Sequence, residues 1–240
     1  MITDFYKPIK ADNQFFIDAA KHVIAWNAKA RGGETPEFTN EMFIAQLGYV
    51  REELKEFQDA AKINDHIELL DAAADVFVVA SYLVFMFTGE ENLEKILSTG
   101  IGDVFPEAVY DEFLLYEKEM STDAQIIPLT IAMLRMARDT LVRSKYNYKK
   151  VLKEVLRSND SKYPTRKQLL AVWETKDIEF AIAQECAAIE ERNKDRSEGA
   201  YTGVHATYNE KQKVYVFFDD KGKIMKPSTF SKPDIKSIVG

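Results

Sequence analysis

Glu52 to Asp75 reads E-E-L-K-E-F-Q-D-A-A-K-I-N-D-H-I-E-L-L-D-A-A-A-D, and Val76 to Phe87 continues it as V-F-V-V-A-S-Y-L-V-F-M-F. At about 3.6 residues per turn, Glu53 and Glu56 fall on neighbouring positions of one helix and Glu52 reaches Glu56 one turn on. On a second helix Glu68, Asp71 and Asp75 sit at about 0°, 300° and 340°, a stripe about 60° wide. Ala60 to Asp65 is long enough for a tight helix turn and too short for a crossover, so the two helices are expected to be antiparallel neighbours. The stretch therefore predicts an all-α fold in which two acidic faces meet. The apolar run beyond it, about a dozen residues, falls short of the roughly 20 that span a bilayer and reads as the central helix of a bundle.

Acids spaced i, i+3 on a single helix are usually a solvated face. Asp71 and Asp75 depart from that pattern because Ala72, Ala73, Ala74 and Val76 to Ala80 around them belong to a buried stretch. Carboxylates gathered in one groove repel each other and are costly to bury unpaired, so the arrangement asks for a cation. Oxygen-only ligands point to Mg²⁺, with Mn²⁺ as the second choice. Such ions bind phosphate oxygens and activate water, which suggests hydrolysis of a polyphosphate. Glu68 carries two readings that stay open here. It stands three residues after Asp65, where a capping box would use it, and it also belongs to the acidic row.

The pattern E-E-x-x-E, a short turn, then E-x-x-D-x-x-x-D before an apolar run resembles the MazG-like all-α nucleotide pyrophosphohydrolases, which include dimeric dUTPases and phosphoribosyl-ATP pyrophosphohydrolases. V-L-R-S-N-D-S-K at Val155 to Lys162 and the tail D-D-K-G-K-I-M-K-P-S-T-F-S-K-P-D-I resemble the S-N-x-S-K and G-K-x-x-K-P elements of bacteriophage members. The resemblance implies Mg²⁺-dependent attack of water at the α-phosphorus of a nucleoside triphosphate, giving a nucleoside monophosphate and pyrophosphate. It favours deoxynucleotides of the dATP, dGTP or dUTP kind, with phosphoribosyl-ATP as an alternative substrate. It assigns metal binding to Glu53, Glu56, Glu68, Asp71 and Asp75, and catalysis to Glu52 and Glu53. Substrate binding falls to Arg157, Ser158, Asn159, Lys162, Lys223 and Lys226. In the shortest members the second motif is E-x-x-D directly before the apolar run; that register selects Asp75 and puts Ala72 where Glu belongs. The register Glu68 to Asp71 restores the acid pair one turn earlier.

Rival chemistries lack their residues. A di-iron bundle needs E-x-x-H, and an HD-type phosphohydrolase needs several metal-binding histidines where this chain has His22, His66 and His205 without a His-Asp pair. A helical relative that binds nucleotide without cleaving it is the remaining alternative. With 240 residues and 46% hydrophobic content, the chain can bury one sizeable core. A net charge of −7 with scattered Lys and Arg argues against gripping a nucleic-acid polymer. No apolar leader opens the chain, and a lone Cys186 in a helical stretch reads as packing, so a reducing cytoplasm, a host's if the source is a phage, is expected without a membrane partner. The apolar helix pair suggests a homodimer or higher homo-oligomer.

Outward from the acidic hairpin, Asp12 caps a helix to about Arg31 that Gly32 and Gly33 end, and Thr39 or Asn40 caps the next. Trp26 reads as core rather than a base contact. Residues 100–146, with helices expected near Pro106 to Met120 and Asp123 to Lys145, look like an insertion relative to shorter relatives. Its acids Glu107, Glu112, Glu117 and Asp139 read as a solvated face. Arg166 to Lys194 reads as one helix, and Val204 to Tyr208 with Val214 to Phe218 as a hairpin. Lys223 and Lys226 then either fold over the substrate or decorate an edge strand. The organisation expected is a catalytic bundle over 1–198 followed by a hairpin and tail over 199–240.

Overall fold

Thr39 accepts a hydrogen bond from the Met42 N–H and starts helix α2, Asn40–Ile63. The Asp65 carboxylate accepts from Ile67 and Glu68 N–H and starts α3, His66–Thr88. Between them the turn is Asn64 and Asp65 alone, with Asn64 left-handed at φ 54°. That is tighter than the six-residue turn expected, because α2 continues through Ala60 to Ile63. The computed structural model describes residues 11–99, 123–195 and 199–240. Its other elements are α1 (Asn13–Ala30), α4 (Glu90–Ser98), α5 (Asp123–Arg143), α6 (Tyr148–Asp160), α7 (Arg166–Val172), α8 (Ile178–Arg192), β1 (His205–Asn209), β2 (Val214–Phe218) and α9 (Ile235–Val239). The class is all-α with a small antiparallel hairpin, β1 and β2 pairing His205 with Phe218 through Asn209 with Val214. The helix expected near Pro106 to Met120, and Glu107, Glu112 and Glu117, lie outside the described residues.

Two compact units form. Among the described residues the first takes 11–24, 38–99, 123–156 and 233–240; the second takes 25–37, 157–195 and 199–232. In the first, α3 is the axis: Ala73, Ala74, Val76, Phe77, Ala80 and Leu83 are fully enclosed by α1, α2, α5 and α6 side chains such as Phe16, Leu54, Leu134 and Leu152. Each of the larger side chains, Val76, Phe77 and Leu83 among them, contributes ~1.5–3 kcal/mol by leaving water, and each alanine less. α3 is long and apolar enough to cross a bilayer, with a mean hydropathy of 1.9 over its most apolar 18 residues; in this fold 72% of that window is buried, as in the core helix of a bundle.

In the second unit the small hairpin packs on helices: Tyr215, Phe217 and Met225 lie against Leu169, Ala181 and Ile189 of α7 and α8. The segment read as one helix over Arg166 to Lys194 is two. Glu174 is left-handed at φ 46°, and Asp177 caps α8 by accepting from Glu179 and Phe180 N–H. Cys186 is half-buried, and burial first, then Glu185, pushes its thiol up to about 11.

Asp139 corrects another expectation, since it lies buried rather than on a solvated face. Arg138, fully enclosed, donates from Nε to Asp139 at 3.3 Å and from Nη1 to the Leu97 and Thr99 carbonyls. Burial raises the Asp139 carboxyl to about 6 despite Arg138, Arg143 and Arg135. A carboxyl that holds its proton more tightly when folded than its ordinary 3.8 favours folding while protonated, so stability from this group is lost as pH rises from about 4 to 6. Asp139→Asn removes that slope. The melting temperature of the variant relative to wild type should therefore climb between pH 4 and 7, by an amount on the order of 2–3 kcal/mol in stability; parallel curves would refute this.

Candidate active site

Gln46, buried on α2, donates from Nε2 to the Val79 carbonyl of α3 at 2.9 Å. The bond fixes the register of an antiparallel pair. Two turns onward along α2 comes Glu53, on nearly the same face as Gln46, and two turns back along α3 comes Ala72, with Asp71 and Asp75 beside it on the stripe. Both steps advance about 10.5 Å in the same direction, so Glu53 comes level with Ala72, between the levels of Asp71 and Asp75 and within about one helical turn of each. Glu56, one turn further, comes level with Glu68 and Asp71. The two acidic rows thus lie along facing helices in the first unit.

Their exposure is graded. Glu52, Glu53, Asp71 and Asp75 are half-buried, whereas Glu56 and Glu68 are exposed. Leu54, Phe57, Ala72 and Val76 beside them are enclosed, so the half-buried carboxylates stand over an apolar floor where an ion's field is poorly screened. The donor chemistry, oxygen only and rich in carboxylate, suits a hard divalent cation. Among the described residues no three Asp, Glu, His or Cys side chains already converge as a ligand group.

The second unit carries the predicted substrate-binding residues, and it gathers five of the six. Arg157 donates from Nη2 to the Lys232 carbonyl at 3.1 Å. Ser158 is buried, and its carbonyl accepts from the Ser161 hydroxyl. Lys162 donates to Asn159 Oδ1 at 2.6 Å and lies over two rings, Trp26 at 5.4 Å and Phe230 at 6.0 Å. Lys226 lies over Phe230 at 5.2 Å. Lys223 stands apart, over Tyr201 at 5.5 Å. Asp219 makes this return possible: its carboxylate accepts from Lys221 and Lys223 N–H, and Gly222 turns at φ 80°.

Phe230 is the residue that sequence reasoning missed. Its signal was an aromatic placed between Lys226 and Lys232 in the tail element. Trp26 is half-buried, stacked on Tyr163 at 4.9 Å, with its Nε1 donating to the Asn159 carbonyl, so its ring serves packing as expected. Phe230→Ala removes the ring shared by Lys162 and Lys226, a loss of about 1–2 kcal/mol. Hydrogen exchange at the Ser231 amide, which donates to Ser161 Oγ, should quicken in the variant; unchanged protection would show that the rings do not hold the tail.

The family model for phosphoribosyl-ATP pyrophosphohydrolase matches residues 28–97, which take in α2, α3 and both acidic rows. That family is one of the MazG-like all-α pyrophosphohydrolases, so the acidic hairpin of this chain is similar to theirs. The match supports hydrolysis of a nucleotide pyrophosphate linkage as the general activity, that of a hydrolase acting on acid anhydrides. The S-N-D-S-K segment and the tail lie beyond the matched range. No curated protein and no solved structure matches the chain significantly.

Proposed function

We propose that the chain hydrolyses nucleoside triphosphates, deoxynucleotides in particular, to a monophosphate and pyrophosphate with Mg²⁺. The observation that supports this best is the placement of Glu53 between the levels of Asp71 and Asp75 across α2 and α3, inside the segment that the family model matches. Glu53, Glu56, Asp71 and Asp75 would hold the metal, with the long glutamates turning toward the shorter aspartates. When bound, Mg²⁺ offsets triphosphate charge and makes water a stronger nucleophile. Glu52, half-buried beside Glu53, is suited to orient that water and take its proton; Glu68, exposed in the first turn of α3, is suited to an outer ligand. Within the second unit, Lys162 and Lys226 are cations of the kind that phosphate oxygens pair with, and Asn159 has a side-chain amide.

The test incubates protein and Mg²⁺ with each NTP and dNTP separately and resolves the products, with Glu56→Gln as control. Monophosphate plus pyrophosphate, lost in the variant, supports the reading; intact nucleotides throughout would sink it. A second reading, cleavage of phosphoribosyl-ATP, is favoured by the description of the matched family. Adding that compound to the panel separates the two.

A further inference from the structure

The side of α3 opposite the acidic stripe carries a second feature. At about 100° per residue His66, Leu69 and Leu70 centre roughly half the helix circumference away from Glu68, Asp71 and Asp75. There they line a cleft of about 230 Å³, open on one side, together with Thr140, Arg143, Ser144, Lys145 and Tyr146 from the end of α5 and the turn after it. Leucines and the tyrosine ring make its walls. Every charged side chain on its lining is cationic, in a chain of net charge −7. Lys145 Nζ lies 5.1 Å over the Tyr146 ring, which holds a cation beside the apolar wall.

We propose that this cleft binds a compact organic anion, an aromatic or short aliphatic body carrying one carboxylate or phosphate. An apolar cavity of about 150 Å³ is large enough for benzene, so this one has room for a ring and its anionic group. The body packs between Leu69, Leu70 and Tyr146; the anion meets Arg143 and Lys145. An apolar ligand lacking the charge would forgo the cations, and an inorganic anion would leave the walls unfilled, so recognition requires both parts. The site is separate from the acidic rows, which face the other way on the same helix.

The experiment titrates the full chain, without added metal, with benzoate, phenyl phosphate, benzyl alcohol and inorganic phosphate, following saturation by calorimetry and ligand-observed NMR. Benzoate or phenyl phosphate should bind at least tenfold more tightly than benzyl alcohol or inorganic phosphate, and the tighter of the two identifies the head group. Arg143→Gln with Lys145→Gln should weaken the organic anions at least tenfold and leave benzyl alcohol unchanged. Leu69→Trp fills the cleft and should abolish both, whereas Asp75→Asn should alter neither. Absence of saturable binding, inorganic phosphate matching phenyl phosphate, or an unaffected double variant would each overturn the proposal.

Discussion

Asp75→Asn should lower Mg²⁺-dependent pyrophosphate release by at least ~10²–10³-fold, the range seen when one preorganised electrostatic group is removed from a site. Asp75 is half-buried between Ala74 and Val76, which are enclosed. A carboxylate held there moves little, and the amide that replaces it keeps the shape while losing the charge a divalent ion requires. Wild type should also gain thermal stability from Mg²⁺. Saturation to a hundred times Kd corresponds to about 2.7 kcal/mol by linkage, and Asp75→Asn should remove that gain. Glu68→Gln, at an exposed position outside the half-buried set, should cost less. Equal losses at Asp75 and Glu68 would mean that the row acts as diffuse charge, and full activity of Asp75→Asn would remove Asp75 from the site.

The acidic hairpin was legible because every signal for it is local. Asp65 capped the helix where a short polar residue before an apolar run says it should. The i, i+3 and i+4 spacings of Glu53, Glu56, Glu68, Asp71 and Asp75 follow from helix geometry alone. What periodicity cannot report is which helix face meets which. The level of Glu53 against Asp71 and Asp75 depends on a bond between Gln46 and Val79 that no spacing rule foresees. Phe230 was invisible for the same reason, since its contacts with Lys162 and Lys226 arise when the tail returns after β2. Asp139 misled because, beside Arg138 and Thr140, its local pattern is that of a surface helix. Only the Leu97 and Thr99 carbonyls that receive Arg138 show why the charges lie inside.

Glu185→Ala should strongly destabilise the second unit, at about 2–3 kcal/mol. Glu185 is fully buried on α8, and four donors end on its carboxylate: Trp173 Nε1 at 3.0 Å, Arg192 Nη2 at 3.1 Å, the Ser228 N–H at 2.8 Å and the Ser228 hydroxyl at 3.0 Å. These come from the end of α7, the last turn of α8 and the tail, so one side chain ties three segments of that unit together. Removing it leaves the half-buried Trp173 indole N–H without its acceptor, a cost of ~1–3 kcal/mol, and releases the exposed Ser228 from α8. Glu185→Gln keeps one carbonyl acceptor but sets an amide N–H₂ against a donor, so it should fall between alanine and wild type. Denaturant titration gives the size of the loss, and hydrogen exchange at the Ser228 amide gives its location. If Glu185→Ala unfolds with the wild-type midpoint, the four bonds carry no net stability; if the midpoint falls while Ser228 stays protected, the tail is held by Phe230 and its lysines instead.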